Sequence, residues 1–262
     1  MTHPLNEASA SEPASREDAL IAFFQPFYNL SSNRLQGFEA LARRHDVDGT
    51  PLLPRRFFAA AEASGKMRDL DVRILDQAIE TLSHWREIPS AQDLILAVNV
   101  SGPSAGHAAT YSHNPPSLPR PGGRGDRLLI DITTGSFRRA LAAGDDGLAW
   151  LRRLQEREIS FCLDGFTADD LDLLPAAASS LVDIIKLHPA QVVASTGSTE
   201  ALTQLATSIQ EVGMPVVAAG VETHEHLELV RELGFEWAQG FLLGEPVAAE
   251  EALRGPDSLT GI

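Results

Sequence analysis

Eight short apolar runs punctuate the chain, at 21–30, 37–44, 93–100, 127–133, 159–166, 181–188, 216–223 and 237–244. Their centres are continuous hydrophobic stretches, as in Leu94-Ile95-Leu96-Ala97-Val98 and Val182-Asp183-Ile184-Ile185-Lys186-Leu187. Such runs are the pattern of strands covered on both faces. Between most of them the apolar positions recur with helical spacing, over 53–64, 70–85 (Val72, Leu75, Ile79, Leu82), 148–157, 199–212 and 224–233. The last of these has Thr223 before it as an N-cap, Arg231 in its final turn and Gly234 at its end, the usual start and stop signals. His224 and His226 on that helix are two apart, do not face each other and make no metal pair. Strands alternating with helices over about 225 residues predict an α/β fold of TIM-like (β/α)8 barrel type. A turn as short as Ser31-Ser32-Asn33 between the first two runs predicts that one strand is antiparallel.

One connection breaks the alternation. Residues 101–126 are rich in Pro, Gly, Ser and His, including Asn114-Pro115-Pro116-Ser117-Leu118-Pro119-Arg120-Pro121-Gly122-Gly123, and no helix runs through such a stretch. It reads either as a long mobile loop or as a loop that binds a partner. Residues 1–18 are polar and acidic and read as a flexible lead without a secretory signal. The barrel domain is assigned to 19–250 and a flexible tail to 251–262.

Composition narrows the class. With 262 residues and 44% hydrophobic content there is ample material for one large barrel. The single cysteine, Cys162, excludes an internal disulfide and suits a reducing, cytoplasmic setting. Its surroundings, Ile159-Ser160-Phe161-Cys162-Leu163, mark it as an inert core thiol. No apolar run approaches the roughly 20 residues of a membrane span. A formal net charge of −15 excludes non-specific binding to DNA or to an anionic membrane surface. A small phosphate ligand stays open, because a pocket needs only a few well-placed cations.

In a barrel of this type the chemistry lies at the C-terminal ends of the strands. Polar residues gather there: Glu39, Asn99, Asp131, Asp164, Lys186, Glu222 and Gln239. Each alone is a turn or capping residue. Oxygen ligands on successive strand ends, aimed at one mouth, make a site of the Mg²⁺ or Mn²⁺ kind.

The Glu39-Ala40-Leu41 inside Gly37-Phe38-Glu39-Ala40-Leu41-Ala42-Arg43 follows a strand, a turn and a second strand. With the segments at the other strand ends, the chain from about 22 to about 247 resembles the EAL domain family. That family comprises phosphodiesterases that linearise the bacterial second messenger cyclic di-GMP through two divalent ions. The resemblance places the first ion on Glu39, Asn99, Asp131 and Asp164, with Asp131 standing where the family has a glutamate. Several departures follow. The family's paired aspartates read Asp164-Gly165 here, and its Ala-Glu-Gly-Val-Glu-Thr reads Ala218-Ala219-Gly220-Val221-Glu222-Thr223, so the second ion loses two ligands. A loop-fixing glutamate is replaced by Thr134, and an aspartate two residues past the lysine by His188. Asp169 and Asp170 lie beyond the strand end at a helix start, where solvent is their expected environment.

The resemblance implies Glu39 and Lys186 as catalytic residues if the chain is active, with Lys186 orienting or deprotonating the water or, without a second metal, only lining the pocket. It implies Gln25, Glu39, Leu41, Arg43, Asn99, Gln239 and Gly240 as contacts to cyclic di-GMP. Arg43 suits a bidentate phosphate contact, although an exposed or glutamate-paired arginine is the plainer reading. The expected cofactor is one Mg²⁺, Mn²⁺ or Ca²⁺ at most, or none. Three functions stay open: a catalytically impaired cyclic di-GMP receptor in bacterial signalling, a module that binds only a protein partner, and a slow phosphodiesterase. The resemblance also implies a homodimer formed across barrel helices.

Overall fold

The structure, a computed structural model, describes residues 20–45, 51–52, 54–100, 127–156, 159–194 and 199–259. The expected lead at 1–18 and the Pro/Gly-rich loop at 101–126 lie outside the described residues. The strands are β1 (Leu20–Asn29), β2 (Arg34–His45), β3 (Pro51–Leu52), β4 (Ile95–Val100), β5 (Leu128–Thr133), β6 (Ser160–Phe166), β7 (Ile184–Leu187), β8 (Val216–Ala219) and β9 (Trp237–Gln239). They form one sheet in the order β1-β9-β8-β7-β6-β5-β4-β2-β3, and β1 also pairs with β2, so the sheet closes. β3 is a two-residue extension off β2, which leaves eight strands in the barrel. β1 is antiparallel to both of its neighbours, β2 and β9. The other barrel pairings are parallel.

The reversal after β1 has a local cause. Asn29 Oδ1 accepts hydrogen bonds from Ser31 Oγ (2.8 Å) and Ser32 N (2.9 Å), an Asx-type turn. Asn33 then takes φ 54°, a left-handed conformation that asparagine tolerates.

The helices are α1 (Pro54–Ala63), α2 (Met67–Trp85), α3 (Thr134–Ala142), α4 (Gly144–Gln155), α5 (Pro189–Val193), α6 (Glu200–Glu211), α7 (His224–Glu232) and α8 (Ala249–Ala252). A segment of mixed helical pitch runs through Ala168–Leu173, Leu174–Ala176 and Ala177–Leu181. The main core is the annulus between sheet and helices. There Trp85 of α2, 2% exposed, packs on Phe24 of β1 (centroids 5.3 Å apart) and Phe38 of β2 (5.0 Å). Such aromatic pairs add about 0.5–1.5 kcal/mol each beyond their burial. Gln77 of α2 pins β1 further, accepting from Ala22 N and donating to Leu20 O, both at 2.9 Å.

A second, smaller core fills the barrel itself, with Phe27, Ala97, Leu129, Cys162, Ile184 and Val217 as its buried members. The strand period of two then sets the layer above it. Asn99, Asp131, Asp164, Lys186 and Ala219 each stand two residues beyond one of these apolar positions. Cys162 is buried at 1% exposure and burial pushes its thiol well up, as an inert core cysteine requires.

Several expectations need correcting. α3 carries no apolar run in its first turn, where Thr134, Gly135 and Ser136 stand. Thr133 starts it by accepting from Ser136 N (3.2 Å), and Phe137 anchors it in the core. β8 and β9 stop short of 223 and 244, because Gly220 turns the chain at φ 86° and Gly240 opens a turn. The tail assigned as flexible from 251 is docked as far as the described residues reach. Leu35 N donates to Asp257 O and Leu259 N to Asn33 O (both 2.8 Å), Tyr28 Oη donates to Pro256 O (2.8 Å), and Leu259 is 3% exposed. Asp170 is not left to solvent either. It completes a capping box, its Oδ2 accepting from Thr167 N (3.2 Å), and it faces Arg138 at 3.4 Å.

Candidate functional site

The polar layer at the barrel mouth converges on one ammonium group. Lys186 Nζ, from the end of β7, lies 2.7 Å from Glu39 Oε2, 3.0 Å from Asp131 Oδ2 and 3.7 Å from Asp164 Oδ1. Glu39 is held on both oxygens: Asn99 Nδ2 donates to Oε1 at 2.6 Å and Gln239 Nε2 to Oε2 at 2.9 Å. Gln239 Nε2 also reaches Gln25 Oε1 at 3.4 Å, and Gln25 Nε2 donates to Gly244 O at 3.1 Å. The predicted residues Gln25, Glu39, Asn99, Asp131, Asp164, Lys186 and Gln239 thus form one bonded cluster. β1 brings Gln25 opposite Glu39 in register, and its pairing with β9 brings Gln239 from the other end of the strand order to the same site.

Three carboxylates meet one lysine, so the group cannot ionise fully at low cost. Burial raises the Glu39 carboxyl, but the Lys186 charge and the bonds from Lys186, Asn99 and Gln239 outweigh it and hold it below its ordinary range. Asp131 goes the other way, pushed up to about 7 by burial, with Glu39 and Asp164 adding to the rise against the pull of Lys186. Asp164 is raised by burial and by Glu39, opposed by Lys186. Burial alone would lower Lys186, yet the three carboxylates raise it well above its ordinary value. A lysine so held keeps its proton. That favours the orienting role of Lys186 over the deprotonating one.

The cavity over this cluster has a volume of about 260 Å³ and is walled by Gln25, Asp164, Lys186, Ala219, Gln239 and Phe241 among others. Gly240 and Glu222 also border it. A larger cavity of about 640 Å³ lies outside the barrel between β1, α2 and α8. Its charged side chains, Glu80, His84, Glu250 and Arg254, are exposed rim groups, so the chemistry belongs to the smaller one. Leu41 and Arg43 share the inward face of β2 with Glu39, two and four residues on. Arg43 Nη1 donates to Ala42 O at 3.0 Å. Burial lowers the Arg43 guanidinium pKa and Glu39 opposes that fall.

The donor set can be tested against metal ions. Among the described residues no three His, Cys, Asp or Glu side chains are placed to hold an ion, because Lys186 Nζ sits where the carboxylates converge. Asp131 Oδ1 is nevertheless buried without a hydrogen-bond partner, so with Lys186 displaced one cation would fit the set Glu39, Asn99, Asp131 and Asp164. A second does not. Ala219 is buried at 5% exposure and pairs in register with Gln239, and it offers no oxygen. Gly165 has φ 77° and open space where a side chain would project. His188 and Thr134 serve helices instead: His188 Nδ1 accepts from Ala190 N at 3.2 Å to cap α5, and Thr134 opens α3. His226 is buried, its Nδ1 accepting from Glu222 N at 3.2 Å, and it ligates nothing with His224. Phe241 and Pro189 are wall residues that the sequence reading passed over; an aromatic directly after Gln239-Gly240 was the signal for the first.

Comparison with known proteins bears on the whole domain. The EAL domain model matches residues 8–246. The cyclic di-GMP phosphodiesterase NbdA of Pseudomonas aeruginosa is 29% identical over 97% of this chain, which covers 32% of that protein. The cyclic di-GMP phosphodiesterase PdeB of Shewanella oneidensis is 28% identical over 89% of this chain, which covers 27% of it. The chain thus spans about a third of the length of the curated relatives it matches. Among solved structures, the cyclic di-GMP complex of the PaMucR phosphodiesterase superposes with a TM-score of 0.77 at 23% identity, covering 88% of this chain and 93% of that one. No described helix is long and apolar enough to cross a membrane.

Proposed function

Because the chain belongs to the EAL domain family, we propose that it binds cyclic di-GMP at the barrel mouth as a receptor in bacterial signalling and does not hydrolyse it efficiently. The observation that carries this reading is that Ala219 stands on the cavity wall with Asp164 and that Gly165 follows Asp164, which leaves one carboxylate where a second ion would need several. Two-metal hydrolysis needs both ions about 3.5–4 Å apart, one activating the water and both neutralising the phosphate. At most one Mg²⁺, Mn²⁺ or Ca²⁺ is held here, through Glu39, Asn99, Asp131 and Asp164. Such an ion would supply positive charge to a phosphate oxygen. Lys186 supplies a fixed positive charge on its own.

The ligand itself is inferred from the relatives, two of which are cyclic di-GMP phosphodiesterases and one a cyclic di-GMP complex. Arg43 and Gly240 are proposed to contact it, with Gln25, Leu41 and Gln239 at its edge. Gln25 and Gln239 are bonded to each other, and Gln239 to Glu39, in this structure, so they offer the ligand only what those bonds leave. A slow phosphodiesterase is the second reading, favoured by the convergence of Glu39, Asp131, Asp164 and Lys186.

Calorimetric titration with cyclic di-GMP, run with Mg²⁺, with Ca²⁺ and with chelator, tests the proposal. Binding that survives chelation supports a receptor. No heat up to high micromolar ligand transfers the function to a protein partner. Chromatography of the same mixtures should show no linear dinucleotide above background with Mg²⁺ or Mn²⁺. Robust product that disappears in Glu39→Ala would overturn the impaired reading.

A further inference from the structure

Large apolar side chains at a protein surface are ordinary when single and marginal, and three of the four exposed among the described residues are of that kind. Leu171, Val193 and Val212 are 36–38% exposed, whereas Phe241 is 62% exposed. Phe241 is also the only one of the four on the wall of the cavity that holds Lys186, Asp164 and Gln239.

Its backbone is unusually well fixed for so exposed a residue. Leu243 N donates to Gly240 O (3.0 Å), Gly244 N to Gly240 O (3.1 Å) and Leu242 N to Val221 O (3.2 Å). Gly240 lies so close to Val221 that an added Cβ would stand 2.1 Å from Val221 O. Leu243, two residues further, is buried at 2% exposure. The turn is thus clamped on both sides of a ring that itself faces water. A mobile loop with an exposed Phe needs no purpose. A rigid one on the wall of a polar cavity presents a preformed flat apolar surface, and that lowers the entropy lost when a flat ligand lands on it.

We infer that Phe241 is the stacking platform for one purine base of the nucleotide, whose phosphate lies toward Lys186 and Arg43. This rests on the reading that the barrel mouth binds cyclic di-GMP and adds the residue that recognises a base by its π-face. Aromatic–base stacking lost by alanine substitution corresponds to about a fivefold to a hundredfold change in affinity. Stacking tolerates any base, so Phe241 adds affinity for flat rings and leaves the choice among bases to polar contacts.

The experiment uses the full chain and cyclic di-GMP, with wild type, Phe241→Ala and Phe241→Trp compared by calorimetry and by melting temperature. Since the ring is mostly exposed, both variants should melt with the wild type. The expected result is a loss of about tenfold or more in Phe241→Ala and retained affinity in Phe241→Trp. The tryptophan variant should also show ligand-dependent fluorescence quenching beyond that of wild type. Equal binding by Phe241→Ala and wild type overturns this inference and leaves the binding reading standing. Absence of binding by wild type and both variants overturns the two together.

Discussion

Two arcs of the barrel mouth differ although the same register builds both. On one, the ends of β2, β4, β5 and β6 carry Glu39, Asn99, Asp131 and Asp164, and each oxygen donor points into the shared layer. On the other, β8 presents Ala219, and the chain after Asp164 continues as Gly165. Ala219 sits between its neighbours with the same strand pairing that a glutamate there would use. The lesson is that a closed parallel barrel fixes seats, and the side chain in each seat decides the chemistry. Donors can leave one arc without disturbing the fold, because the apolar layer below and the annular core outside hold the strands. The donor-rich arc cannot change so freely, since its carboxylates are buried and depend on one lysine.

The largest effect should come from removing that lysine. Lys186→Ala leaves Glu39 and Asp131 buried without their cation, and breaking a buried pair from one side costs about 3–5 kcal/mol. A urea melt should show this as a lower midpoint. Millimolar Mg²⁺ or Ca²⁺ should recover part of it, because the vacated point is then ringed by carboxylates. A variant as stable as wild type without added cation would show that the arc does not depend on Lys186.

Filling the poor arc comes next. Gly165→Asp with Ala219→Glu restores two oxygen donors around Asp164, and aspartate tolerates the left-handed φ of 77° better than most residues. If the arcs differ only in occupancy, Mg²⁺ should stabilise the double variant more than wild type, by about 2.7 kcal/mol at a hundredfold excess over Kd. Equal shifts in both proteins would break the comparison. Gly165→Asp alone serves as a check should the buried Ala219→Glu change impair folding.

Much of this contrast was legible in the sequence, and the reason is geometric. Continuous apolar runs ending in polar residues locate the strand ends, so Glu39, Asn99, Asp131, Asp164, Lys186 and Gln239 could be assembled before their neighbours were known. The substitutions at Gly165 and Ala219 are visible as letters. What could not be read was the partner of each group. That Lys186 sits among the carboxylates, that Gln25 and Gln239 bond to each other, and that Asp170 caps a helix depend on through-space contacts. The docking of residues 253–259 was hidden for the same reason: Pro256 and Asp257 are held by hydrogen bonds to Tyr28 and Leu35, and no local pattern announces that. α3 was missed because its first turn, with Gly135 and Ser136, lacks propensity and is set by a cap and by Phe137.

A pH series sharpens the comparison within the rich arc. Asp131 is pushed up to about 7 in the folded chain, against an ordinary value near 4 when unfolded. Between those values the folded protein binds more protons than the unfolded one, so the contribution of Asp131 to stability falls as pH rises. Glu39, held below its range, works in the opposite sense and loses its contribution as pH falls through its folded value. Asp131→Asn removes only the first. Its stability relative to wild type should therefore improve steadily from about pH 4 to about pH 7 and level off above. A difference that is flat across that range would mean that Asp131 stays ionised beside Lys186.

The smallest change in stability is expected at the edge of the rich arc. Arg43 continues the inward face of β2 past Glu39, and its Nη1 donates a hydrogen bond to the neighbouring Ala42 O. The side chain is half-buried, and the Glu39 charge it feels is already shared among Lys186, Asn99 and Gln239. Arg43→Ala should thus shift stability by no more than about 1 kcal/mol, the net worth of one hydrogen bond. Affinity should respond much more, because a guanidinium beside a phosphate makes charge-assisted bonds about twice as strong as neutral ones. A loss of about tenfold or more in cyclic di-GMP binding, with the melt nearly unmoved, would separate the ligand-facing end of β2 from its structural middle. If the melt fell as far as in Lys186→Ala, Arg43 would belong to the internally bonded cluster, and the phosphate contact would have to come from another cation.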